Sequence, residues 1–189
     1  MNNPVLIIVH GKPGAGKSTL AKQLARDLSV HYMRKDDLKD FMFDQMGVGD
    51  RAWSTTLGRA ASEMLYPLAE AILASGRPFI VESAFYKTLS DQRLQEIVET
   101  SKARCIQIYC DLESEERHRR FVERNEKGER HPGHVDALNY NASDDKTDSK
   151  TYAPLEVGTV WPIDTTHFGE PEYKVLLRRI AVFIEQKEG

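Results

Sequence analysis

Residues Gly11 to Ser18 read GKPGAGKS, a complete match to G-x-x-x-x-G-K-[ST], and no other stretch constrains the fold as tightly. The motif needs a strand before it and a helix after it, and both are present. Val5 to Val9 is a short apolar run, and Leu20, Ala21, Leu24, Ala25 and Leu28 recur at helical spacing beyond Ser18. Gly14 and Gly16 let the backbone turn so that successive N–H groups point inward as an anion nest, and the dipole of the helix starting near Ser18 adds positive potential. Lys17 then reaches the β- and γ-phosphates of a nucleotide, and the Ser18 hydroxyl ligates Mg²⁺. The expected nucleotide-binding set is Gly11, Pro13, Gly14, Ala15, Gly16, Lys17, Ser18 and Thr19. An accidental glycine-rich turn is the competing reading, and a complete motif between strand and helix argues against it. ATP and Mg²⁺ are the expected ligands. The motif does not say what receives the phosphoryl group.

Beyond the motif, strands alternate with helices, the pattern of a parallel sheet covered on both faces. The candidate strands are Val5 to Val9, Val30 to Met33, Pro78 to Val81, Arg104 to Tyr109 and Thr159 to Ile163; the last contains Pro162 and belongs at a sheet edge. Helices are expected after Ser18, over Asp37 to Met46, around Leu57 to Ile72 with a kink at Pro67, after Ser90, after Ser114, and from Pro171 with Val175, Leu176, Ile180, Phe183 and Ile184 as the buried stripe. The fold class is therefore α/β: a three-layer P-loop NTPase fold with a five-stranded parallel sheet and a lid insertion. With 189 residues, one domain over the whole chain is expected. The lid is Asn125 to Ala153, a long polar stretch with Pro132, Gly128 and Gly133 and a run from Ser143 to Lys150 almost without apolar residues.

Charge and cysteines narrow the function classes. Lys and Arg number 26 against 29 Asp and Glu, a formal charge of -3 that argues against a dedicated duplex-nucleic-acid binder. Cys105 and Cys110 are five apart in a strand, on opposite faces and out of disulfide reach, so a reducing cytoplasm is the expected location. No membrane or export segment is expected, because the run Val5 to Val9 is too short.

Three further segments carry a resemblance. With the P-loop, RKDDLK at Arg34 to Lys39, LAEAILASGRPFIVE at Leu68 to Glu82 and RNEKGERHPGH at Arg124 to His134 make the chain similar to small P-loop kinases that include polynucleotide 5′-hydroxyl kinases, zeta-toxin-type kinases and chloramphenicol phosphotransferase. The resemblance implies that Asp36, just after the second strand, accepts the proton of an attacking hydroxyl. A carboxylate at that strand end can face the γ-phosphate across the crevice. The alternatives are that Asp36 caps the following helix, or that Asp37 holds the catalytic role. The resemblance also makes Glu82 the residue that holds a water on Mg²⁺, with Asp111 as the competing candidate, and makes Arg124 the lid arginine, with Arg130 inside the lid as a second catalytic cation. Polynucleotide kinases carry an arginine where this chain has Lys39, which weighs against a nucleic-acid acceptor.

Arg117, Arg120 and Arg124 are spaced i, i+3, i+7 and share one helix face, either as donors around a phosphate or as a solvated face paired with Glu113 and Glu116. His131 and His134 are expected to hydrogen-bond or be solvated rather than to hold zinc. Tyr152, Trp161 and Trp53 are expected in core or surface roles, and Thr165 to Gly169, by resemblance, passes near the adenine. An acceptor pocket built from Phe41 to Glu63 and Ser83 to Lys87 would mix Phe41, Phe43, Met46, Trp53, Phe85 and Tyr86 with Arg51 and Arg59 as anion partners. The expected activity is transfer of the γ-phosphoryl group to a small hydroxylated acceptor. A polynucleotide 5′-hydroxyl kinase and a nucleotide-dependent regulatory ATPase or switch are the alternatives.

Overall fold

In a computed structural model, which describes residues 3–128, 130–135 and 151–186, β1 (Val5–Gly11) is buried along all 7 of its residues. A run apolar on both faces needs covering on both faces, and a parallel sheet between two helical layers supplies that. The sheet has 5 strands in the order β2-β3-β1-β4-β5, every pair parallel, with β2 (His31–Arg34), β3 (Phe79–Glu82), β4 (Arg104–Asp111) and β5 (Thr159–Asp164). These are the strands expected from sequence, each reaching slightly further toward its carboxyl end. β5 lies at the edge, where Pro162 removes no needed ladder donor.

The helices are α1 (Lys17–Leu28), α2 (Lys35–Met46), α3 (Arg51–Ala74), α4 (Lys87–Ser101), α5 (Ser114–Glu126) and α6 (Glu170–Glu185). Several depart from the sequence expectation for identifiable reasons. α2 starts at Lys35 with Arg34 as its N-cap, so Asp36 does not cap it but lies in its first turn, beside the positive end of the helix dipole. α3 starts at Arg51 because the Asp50 side chain accepts a 2.9 Å hydrogen bond from Trp53 N, a cap that apolar periodicity does not register. α3 continues through Pro67 to Ala74. In α6 the buried face is Tyr173, Leu176 and Ile180, spaced i, i+3, i+7, while Val175 falls off that face and is 67% exposed.

Alternation along β1 divides the core. Val5, Ile7 and Val9 pack with Leu20, Ala21 and Leu24 of α1 and with Leu176 and Ile180 of α6. Leu6 and Ile8 pack with Leu65, Ala69 and Leu73 of α3 and Leu94 and Ile97 of α4. Cys110 belongs to the first cluster and Cys105 to the second, so these two free thiols sit on opposite sheet faces as expected.

One buried polar network interrupts the apolar core. Gln107 in β4 accepts at Oε1 from Leu155 N (2.9 Å) and contacts His10 Nε2 (2.9 Å), while its Nε2 donates to the carbonyls of Leu155 (2.9 Å) and Val157. Because Oε1 can only accept, His10 carries its proton on Nε2. Burial, opposed by the Gln107 bond and reinforced by the Lys17 charge, pushes the His10 imidazole down to about 4, so it is neutral. Gln107→Leu keeps the volume and strands Leu155 N and its carbonyl without partners. It is expected to destabilise the fold by roughly 2–5 kcal/mol, read as a lower denaturant midpoint at unchanged slope.

Parts of the expected lid segment 125–153 take defined places: α5 extends to Glu126, residues 130–135 pack on α2, and Tyr152 is buried. The rest of that segment, 129 and 136–150 with the polar run 143–150, lies outside the described residues. Among the described residues no helix is long and apolar enough to cross a membrane.

Candidate functional site

The carboxyl ends of β1, β3 and β2 converge, with Val9 opposite Glu82 and Glu82 opposite Arg34 in register. The phosphate loop leaves β1 here and returns as α1, with Gly16 as N-cap. Gly14 has φ +85°, and a Cβ there would meet Arg117 Cγ at 3.1 Å and Arg117 O at 3.2 Å, so both backbone conformation and the close approach of α5 require glycine. Lys17 is buried and donates from Nζ to Lys12 O at 2.7 Å, within its own loop. Burial pushes its ammonium down from the ordinary lysine value, against the charges of Glu82, Cys110 and Asp36 that hold it up.

Ser18 Oγ donates to Glu82 Oε2 at 2.8 Å, which brings together the two residues expected to hold a metal. Burial raises the Glu82 carboxyl above the ordinary range, while Lys17 and the Ser18 hydroxyl oppose that rise. Asp111 is turned to local work: its Oδ1 accepts from Leu112 N at 3.0 Å and its carbonyl accepts from Thr165 N at 2.8 Å. Hard oxygen donors 2.8 Å apart beside the phosphate loop suit Mg²⁺, which prefers a carboxylate, a hydroxyl and phosphate oxygens.

Asp36 and Asp37 part company on α2. Asp37 Oδ1 accepts from Arg34 Nε (2.9 Å) and Nη2 (2.6 Å) at the surface. The Asp36 side chain is 31% exposed against 50% for Asp37, and Lys35 Nζ lies 3.3 Å from Asp36 Oδ1. Burial works against its ionisation, yet Lys35, His134, Arg130 and Arg34 together hold the carboxyl well below the usual range. The neighbouring Arg124 is half-buried, and burial together with the charges of Arg130 and Arg34 pulls it down, with Asp36 and Glu82 opposing. The structure thus gathers Lys17, Ser18, Asp36, Glu82, Arg124 and Arg130 at one sheet end.

The other two arginines of α5 differ from each other. Arg117 is 2% exposed beneath the phosphate loop, which overturns the solvated-face alternative for it. Arg120 keeps the expected pair with Glu116 (2.6 Å) but also donates to the carbonyls of Thr165 (3.2 Å) and Thr166 (3.3 Å). Thr165 Oγ1 in turn donates to Ala15 O at 3.1 Å, fixing the loop after β5 to the phosphate loop. A cavity of about 380 Å³ opens between α1 and this loop, lined by Thr19, Gln23, Arg120, Thr165, Phe168 and Tyr173 among others.

The expected acceptor residues are only partly assembled. Phe43 and Phe85 are buried, but Phe41 (63%) and Met46 (59%) face solvent, as do Arg51 and Arg59. Trp53 packs against Gly49 and donates to Gly47 O, and Trp161 lies in the core under Arg179 and Phe183. Lys39 is buried and donates to Ser54 Oγ on α3 at 2.9 Å. Sequence reasoning passed over Arg34, which a strand-end position could have flagged, and Gln107, for which no local signal exists.

The family model described as AAA domain matches residues 6–145. A candidate kinase of Chloroflexus aurantiacus J-10-fl is 34% identical over 97% of this chain and 100% of its own, with a TM-score of 0.84. The fold is shared with the APS kinase CysC of Mycobacterium tuberculosis (14% identity, 97% and 99% covered, TM-score 0.59) and with a gluconokinase of Sinorhizobium meliloti 1021 (16%, 97% and 97%, TM-score 0.52). No curated protein matches the chain. The match over residues 6–145, which contains the whole phosphate loop, Asp36 and Glu82, places the chain in the AAA domain family, AAA_33, of P-loop proteins.

Proposed function

We propose that this protein is an ATP-dependent phosphotransferase that moves the γ-phosphoryl group to a hydroxyl of a small molecule. One observation carries this reading: Asp36, with Lys35 Nζ 3.3 Å from its carboxylate and near enough to feel the charges of His134, Arg130 and Arg34, lies at the sheet end that also holds Lys17 and Glu82. A nucleotide switch needs no carboxylate aimed at an acceptor, whereas a kinase does. In the transfer, the acceptor oxygen forms a bond to the γ-phosphorus as the bond to the β,γ-bridging oxygen breaks, ADP leaves, and the hydroxyl proton passes to Asp36. In this reading Asp36 orients the hydroxyl in the ground state and takes its proton as the new bond to phosphorus acidifies it. Lys17, Arg124 and Arg130 offset charge on the transferring group, and segment 125–153 supplies the lid that excludes water.

Ser18 and Glu82 would hold Mg²⁺, which when bound neutralises phosphate charge. Glu82→Gln is expected to abolish the Mg²⁺-dependent part of the thermal shift given by ATP while leaving the metal-free part. An unchanged Mg²⁺ titration would remove Glu82 from the metal site.

A small acceptor is favoured over a polynucleotide strand because Lys39, which stands where polynucleotide kinases carry an arginine, is buried and tied to Ser54 in the α2–α3 interface. The APS kinase and gluconokinase neighbours act on small molecules by their names, which supports the same side. Screening ATP turnover against hydroxylated metabolites, antibiotics, nucleosides and 5′-hydroxyl oligonucleotides tests this. Turnover confined to the oligonucleotides would replace it with the polynucleotide reading.

A further inference from the structure

The segment His131-Pro132-Gly133-His134 has so far no task, yet it is built tightly onto α2. The His131 ring stacks on Phe43 at 5.1 Å between centroids and 5° between planes, and the His134 ring meets the same Phe43 edge-on at 5.6 Å and 77°. Each imidazole also reaches a carboxylate of α2: His131 Nε2 lies 3.3 Å from Asp44 Oδ1, and His134 Nε2 lies 2.6 Å from Asp40 Oδ1. Gly133 rests on the ring between them. A Cβ there would lie 2.5 to 2.6 Å from three Phe43 ring atoms, so only glycine lets the loop approach. Gly133 N donates to His131 Nδ1 at 3.1 Å, which leaves the His131 proton on Nε2, facing Asp44. His134 N donates to His131 O at 3.0 Å and closes the turn.

These contacts fall in a meaningful place on α2. Asp36, Asp40 and Asp44 follow one another at i, i+4, i+8, so the carboxylate assigned to the acceptor and the two that receive the histidines share one helix face. Arg130 immediately precedes His131 in the chain. Phe43 is itself fixed, buried, with Lys39 Nζ 5.4 Å from its ring centroid and tied to Ser54 of α3. Packing alone would not need two imidazole–carboxylate contacts and a glycine-only approach on a short polar loop whose ordering costs about 1–2 kcal/mol per residue.

We propose that Phe43, His131, Gly133 and His134 are positioning residues for the phosphoryl transfer: they latch the root of the lid to α2 and so hold Arg130 and Asp36 in one rigid body. This rests on the phosphotransferase reading above. The lid root is then seated on the helix that presents the acceptor's carboxylate, and it stays seated without nucleotide.

Gly133→Ala tests this most cleanly, since one added methyl group forces the loop off Phe43 and leaves every ionisable group in place. The expected result is a kcat lowered about a hundredfold, the usual consequence of misplacing a transition-state group by an ångström. Melting temperature and the Kd for a non-hydrolysable ATP analogue should stay at wild-type values. Amide exchange at 130–135 should be slow in nucleotide-free wild type and fast in the variant. Phe43→Leu added to Gly133→Ala makes room for the methyl group and should restore much of the rate, and His134→Gln, which keeps a donor toward Asp40, should retain more rate than His134→Ala. A Gly133→Ala protein with exposed 130–135 amides and full kcat would overturn the latch. So would a loss of kcat matched by equal losses of nucleotide affinity and melting temperature. A wild-type protein that transfers no phosphoryl group to any acceptor would instead sink the function on which the latch depends.

Discussion

Lys17→Ala is expected to lose phosphoryl transfer by at least two to three orders of magnitude and to bind ATP weakly. The ammonium is the buried cation of the phosphate loop, and removing a preorganised charge from a dry site usually costs about 10²–10³ in rate. Its burial deepens the effect. Lys17 holds Lys12 O at 2.7 Å and is the leading charge opposing the rise of the Glu82 carboxyl, so its loss both loosens the loop and pushes Glu82 further toward the neutral acid. Steady-state turnover and calorimetric titration with ATP check this together. Wild-type turnover in the variant would rule out transfer at this site.

Asp36→Asn should lower turnover by about two to four orders of magnitude while ATP affinity stays near wild type, since a positioned base acts on the acceptor and not on the nucleotide. The direction of its shift adds a second expectation. A carboxyl held well below the usual range against its burial, by Lys35, His134, Arg130 and Arg34, stays ionised as pH falls through that range. The Asp36-dependent rate should therefore hold level as pH falls from 7 through about 4, with no acid limb at the ordinary carboxylate value. Asp37→Asn should matter much less, because Asp37 accepts both donors of Arg34 at the surface. If Asp37→Asn shows the loss and Asp36→Asn does not, the catalytic aspartate is misassigned by one position.

What could be read in the sequence was what local chemistry encodes. The phosphate loop, the five strands and the edge position of Pro162 each follow from residue type and spacing, and the structure places them as expected. Asp36 and Glu82 were found by looking at the carboxyl ends of parallel strands, whereas Arg124 and Arg130 came from the resemblance and the position of the lid. The misses have a common cause. Gln107 partners Leu155 across 48 positions, Phe43 meets His131 and His134 through tertiary packing, and Arg117 is buried because the phosphate loop lies on it. Periodicity carries no information about such distant partners. The contacts of His131 and His134 within 125–153 were hidden for the same reason, since their carboxylate partners lie on α2, far away in sequence.

A phosphorus NMR time course of ATP and Mg²⁺ with a mixture of hydroxylated small molecules, run in parallel on wild type and Asp36→Asn, bears most directly on phosphoryl transfer. Wild type is expected to produce a new phosphomonoester resonance in step with ADP, at a rate that falls to about 1% or less in Asp36→Asn. Inorganic phosphate as the sole product, released at equal rates by both proteins, would contradict it.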